Sequence, residues 1–64
     1  MKIIKITGPL AAVRYWNGEA YKLIGWDENE ETALKLARGL EKRNRVKVVL
    51  NNTTYGVYYT DRLL

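Results

Sequence analysis

Val13-Arg14-Tyr15-Trp16-Asn17-Gly18-Glu19-Ala20-Tyr21-Lys22 is the stretch whose pairing sets the architecture. Asn-Gly between two extended runs is the strongest short-range hairpin signal. A two-residue type I′ turn needs positive φ at both central positions, and these two residue types tolerate it best. With Asn17-Gly18 as the loop, Trp16 opposes Glu19, Arg14 opposes Tyr21 and Val13 opposes Lys22. A connection this tight joins only antiparallel strands, which excludes a purely parallel sheet.

Upstream, residues 2–7 alternate, with Ile4 and Ile6 against Lys5 and Thr7, as a half-buried strand does. Gly8-Pro9 punctuates the chain, since proline lacks a ladder donor and glycine tolerates a turn. Read as a second tight turn, it pairs Ile6 with Ala11, Ile4 with Val13 and Ile3 with Arg14; the alternative is a bend within one long strand. Downstream, residues 19–26 form the returning strand. Asp27, followed by Glu30 three residues later, predicts a capping box, and Glu28 and Glu31 suit the positive end of a helix.

Ala33, Leu34, Leu36, Ala37 and Leu40 then fall within an arc of about 160°, one apolar helix face. Lys42 and Arg43 precede a stop at Asn44. Val46, Val48 and Leu50 alternate along the next strand. Asn51-Asn52-Thr53-Thr54 turns the chain into a last strand with Tyr55, Val57 and Tyr59 on one side. The expected fold is α+β: a mostly antiparallel sheet of about five strands, in the order β-β-β-α-β-β, with one helix packed on one face. How the final hairpin joins the first three strands is left open.

Composition bounds what such a fold can do. Sixty-four residues make a single small domain, residues 1–64, with a thin core and no room for a large substrate cleft. The chain contains no Cys, His, Ser, Gln or Phe. That removes disulfides, thiolate metal ligands and the usual nucleophile–base pairs. The expectation is a protein that is not an enzyme and has no cofactor and no metal. Asp27, Glu28, Glu30 and Glu31 match no calcium-loop spacing, and capping accounts for them. Lys5, Gly8 and Pro9 interrupt any secretory apolar core, and no run approaches the roughly 20 apolar residues that span a bilayer. A soluble, cytoplasmic protein with no membrane association is expected, and the leading Met suggests a complete small reading frame.

Register across the two turns sorts the strands into two faces. One collects Ile4, Ile6, Ala11, Val13, Tyr15, Ala20, Ile24, Trp26, Val46, Val48, Leu50, Tyr55, Val57 and Tyr59, and is expected to receive the helix. A one-residue slip would destroy that agreement. The other carries Lys5, Arg14, Trp16, Glu19, Tyr21, Arg45, Lys47 and Tyr58, with Ile3, Leu23 and Val49 between them.

Basic groups interleaved with aromatic rings point to nucleic acid: bases stack on rings for ~1–3 kcal/mol each, while Lys and Arg hold phosphates. Candidate contacts are Arg14, Trp16, Tyr21, Lys47 and Tyr58, with Lys5 and Arg45 on phosphate. Outside residues 27–31 the chain has eleven bases against three acids, a net of +8 that steers polyanions. The sequence does not separate DNA from RNA. The alternative is a small protein-interaction factor, of viral or plasmid type, or a homodimer, using the same face through Ile3, Trp16, Leu23 and Val49.

Trp16-Asn17-Gly18, Leu23-Ile24-Gly25-Trp26 and Glu30-Glu31-Thr32-Ala33, within Val13 to Arg38, resemble plant and integrase arm-type DNA-binding modules. The resemblance implies a three-stranded sheet that precedes the helix and reads DNA. The arginine-rich strands of those modules are missing here and the C-terminal hairpin is additional, so the likeness assigns no family.

Overall fold

The computed structural model describes residues 1–61, and among these it holds five strands and one helix. The elements are β1 (Ile3–Lys5), β2 (Val13–Trp16), β3 (Glu19–Asp27), α1 (Glu30–Leu40), β4 (Asn44–Asn51) and β5 (Thr54–Asp61). They form one mixed sheet in the order β1-β4-β5-β3-β2. Every neighbouring pair is antiparallel except β1 with β4. No helix among the described residues is long and apolar enough to cross a membrane.

Both local hairpins follow the turn chemistry. Asn17 and Gly18 take φ of 52° and 82°, and Trp16↔Glu19, Arg14↔Tyr21 and Val13↔Lys22 pair as their spacing requires. The β4–β5 turn is closed by the pair Asn51↔Thr54 with Asn52 at φ 56°, which sets Leu50 against Tyr55 and Lys47 against Tyr58.

The first strand departs from the expected hairpin. Gly8-Pro9 is not a tight turn between adjacent strands; β1 lies beside β4 in parallel, with Ile3↔Val48, Ile4↔Val49 and Lys5↔Leu50. Ile3, not Ile4 and Ile6, therefore packs in the helix-side core, and Lys5 falls on the helix side of the sheet. The three strands before the helix are consequently not one contiguous sheet, unlike the modules the sequence resembles.

Two further corrections are local. Ile24 is an extra residue at a β-bulge between Leu23↔Tyr58 and Gly25↔Val57. The bulge turns Gly25 toward the helix and moves Trp26 to the opposite face, beside Gly56. At the helix start, Asn29 rather than Asp27 is the N-cap: its Oδ1 accepts from the Thr32 N–H at 3.0 Å, and Asp27 Oδ1 accepts from the Asn29 N–H at 2.7 Å. The helix ends at Leu40, before the expected stop, and Asn44 opens β4 while its side-chain amide donates to the Leu40 carbonyl at 3.3 Å.

Helix α1 rests on β3, β4 and β5. Ala33 and Ala37 are buried against Val48 and Val57, flanked by Ile3, Leu34, Leu40, Val46 and Tyr55. Alanine at the contact lets helix and sheet approach closely. The helix does not reach β2, so Val13 and Tyr15 on that side stay exposed rather than covered as the face assignment implied.

Candidate nucleic-acid interface

Because β1 and β2 are the two edges of the sheet, the connection between them must cross it. Four inter-strand gaps of about 4.8 Å make ~19 Å. Ile6 still bonds Leu50 of β4 and Ala12 already bonds Leu23 of β3, so the six steps from Ile6 to Ala12 reach at most ~22 Å. The crossing is therefore short of slack and hugs the face away from the helix. Leu10 sits over Gly56, where a Cβ would meet its Cδ2 at 3.1 Å. The Ile6 N–H donates to the Leu50 carbonyl at 3.0 Å, the Asn51 side-chain amide to the Gly8 carbonyl, and the Leu23 N–H to the Ala12 carbonyl at 2.9 Å. Tyr58 donates its hydroxyl to the Ala11 carbonyl at 2.6 Å.

This crossing makes a second small core from the face expected to be open. Tyr21, Val49 and Tyr58 are buried there, with Ile4, Ile6, Leu10, Trp16 and Leu23 packed on them. Trp16 stands edge-on to Tyr21 (centroids 5.1 Å apart, 86°) and to Tyr58 (5.4 Å, 72°). Burial holds the Tyr58 phenol above its ordinary value, with the nearby Arg14 charge pulling in the other direction.

The expected site residues divide accordingly. Arg14, Trp16, Tyr21, Arg45, Lys47 and Tyr58 share one face, as the alternation required. Lys5 is separated from them on the other side. Tyr21 and Tyr58 are 3% and 0% exposed, so their rings meet neighbouring side chains and offer no face for a base to stack on. Val49 is buried and the flanking Leu23 half-buried, so the apolar patch proposed for a partner is largely covered from within the chain.

What remains open is the half of the face away from the crossing. Arg14, on β2, places its guanidinium 5.6 Å from the Trp16 ring centroid. Lys47, on β4, places its ammonium 6.0 Å from the Tyr21 ring centroid. Two cations separated by two intervening strands thus lean over one aromatic cluster. Arg45 beside them is paired with Glu19 at 2.7 Å in an exposed salt bridge. The acids Asp27, Glu28, Glu30 and Glu31 gather at the opposite end, where β3 finishes and α1 begins; there Glu30 accepts the Tyr55 hydroxyl at 3.0 Å. Such a cluster can hold an anion over half-buried Trp16, and it contains no nucleophile with a base beside it.

Sequence reasoning missed a second feature of this face. The bulge brings Trp26, 67% exposed, beside Leu10 and Leu23, and Glu28, Asn51 and Thr54 complete an open hollow of about 450 Å³. Gly25 within the strand was the signal available in sequence, since an isolated glycine in a strand often marks a bulge. Comparison of the chain with protein-family models, curated proteins and solved structures finds no match.

Proposed function

We propose that the chain is a cytoplasmic, non-enzymatic nucleic-acid-binding module that grips phosphate with Arg14 and Lys47. The observation that carries this reading is the convergence of those two cations over the Trp16–Tyr21–Tyr58 cluster on a face the helix leaves free. Arg45 joins them when a phosphate competes with Glu19 for its guanidinium. Tyr21 and Tyr58 serve as the floor that holds Trp16, and Trp16 is the ring with surface left to meet a base. Lys5 lies outside this site and contributes only to the overall field.

The test is titration of labelled single- and double-stranded oligonucleotides at two salt concentrations. Lys47→Gln should weaken binding to every sequence and lower the slope of log K against log[salt] by roughly one. In a Trp26→Phe background the fluorescence reports Trp16 alone, and it should change on binding. No detectable binding to any oligonucleotide at low salt rejects the reading.

A protein partner is the second reading, and the hollow beside Trp26 favours it. Its floor is apolar and its rim carries Glu28, Asn51 and Thr54, which suits insertion of an apolar side chain from another protein. Salt separates the two readings: phosphate contacts release counterions, whereas an apolar insertion does not.

A further inference from the structure

The two edges of the sheet are protected unequally. Beside β1 stand Lys2 and Lys5, charges that discourage pairing with another chain. At β2 the side chains on the helix side are Val13, 44% exposed, and Tyr15, 71% exposed. Opposite them on β3 are small Ala20 and exposed Lys22, so the Tyr15 ring has little to pack on within the chain.

The backbone of this edge is also unpaired. Across the two-residue turn, Trp16 and Glu19 form a hydrogen-bonding pair, and so two residues on do Arg14 and Tyr21. The bond from the Leu23 N–H to the Ala12 carbonyl continues the same alternation. Val13 and Tyr15, lying between, direct their N–H and C=O groups off the sheet.

We propose that β2 pairs with β2 of a second copy about a two-fold axis, antiparallel, joining two sheets into one of ten strands. Directly opposed residues must share a face, so two centred registers bring the strands together. Centring on Arg14 sets like charges directly opposite each other, which is destabilising. Centring on Tyr15 sets Tyr15 against Tyr15 of the second copy on the helix side. On the other side it sets Arg14 against Trp16 twice, the pairing already made within each chain at 5.6 Å. In that register the outward N–H and C=O of Tyr15 exchange both bonds with their counterparts. The edge is self-complementary in charge, ring packing and hydrogen bonding. The inference does not rest on nucleic-acid binding, although it would set the two Arg14–Trp16 faces side by side.

Four residues make a short interface, so association should be weak and visible between about 10 µM and ~1 mM. Sedimentation equilibrium should show the mass rising towards twofold over that range. Tyr15→Pro removes the outward N–H without touching a bond to β3, and Tyr15→Lys places like charges at the two-fold. Both should stay monomeric, with circular dichroism reporting an intact fold. In a mixed-label sample an intermolecular contact between the Arg14 and Trp16 α-protons should appear, because a non-hydrogen-bonded antiparallel pair brings its Cα atoms to about 4.5 Å. A wild-type monomer at ~1 mM, a dimer unaffected by both variants, or a dimer lacking that contact would overturn the proposal.

Discussion

The Tyr58 hydroxyl lies 2.6 Å from the Ala11 carbonyl, linking residues 47 positions apart. The bond fastens the connection between the two sheet edges onto β5, the central strand of the sheet. It also explains why an aromatic platform in sequence becomes a second core in the fold: the ring supports a crossing segment rather than facing solvent.

Tyr58→Phe should cost about 0.5–1.5 kcal/mol, the usual net worth of a hydrogen bond, measured by chemical denaturation. Amide exchange at the crossing residues 6–12 should quicken more than in the helix. Tyr58 also predicts a pH dependence. Its folded pKa is raised above the ordinary 10.0, chiefly by burial, so the stability it contributes is complete below pH 10 and is lost as pH rises through the folded value. Tyr55, raised by its bond to Glu30, acts in the same direction, so Tyr58→Phe should flatten the alkaline limb in part.

Gly56→Ala tests how closely the crossing approaches the sheet. A new Cβ would lie 3.1 Å from Leu10 Cδ2 and 3.2 Å from Val49 Cγ2, so one of them must shift. We expect a loss of about 1 kcal/mol in the wild-type background, within the range for overpacking. With Leu10→Ala already present the added loss should shrink, and a double-mutant cycle should show coupling above about 0.5 kcal/mol. Strict additivity would mean that Leu10 is not seated on Gly56.

On the helix side the small residues should matter more than the large one. Ala37 is fully buried against the sheet, and Ala37→Leu should destabilise by about 1–3 kcal/mol. Leu36 is more than a third exposed, and Leu36→Ala should fall below the ~2–5 kcal/mol of a fully buried leucine. Thermal melts of the two variants check the order.

Asn29→Ala should cost about 1 kcal/mol by stripping the helix of its N-cap acceptor. Glu30→Gln removes neither that acceptor nor a reciprocal capping bond, and should cost less. A loss at Glu30 equal to that at Asn29 would mean that the Tyr55–Glu30 bond anchors the helix start as firmly as the N-cap does.

Local chemistry was written in the residues. Asn17-Gly18 and Asn51-Asn52-Thr53-Thr54 specify their turns through backbone conformations that few residues tolerate, and those turns fix the registers that put Arg14, Trp16, Tyr21, Lys47 and Tyr58 on one face. The helix was legible because its apolar arc repeats every three to four residues. Only the tertiary structure decided where β1 goes. A three-residue strand has too few alternations to choose between a hairpin partner and a parallel one, and Ile3, Ile4 and Ile6 offer apolar groups to either face. Once β1 joins β4, the segment 6–12 must cross the sheet, and that crossing buries Tyr21 and Tyr58. The same non-local origin holds for Trp26: one extra residue at Ile24 reverses every later side chain in β3, and its cost is set by the fit of Gly25 beneath Leu36, two residues that no periodicity connects.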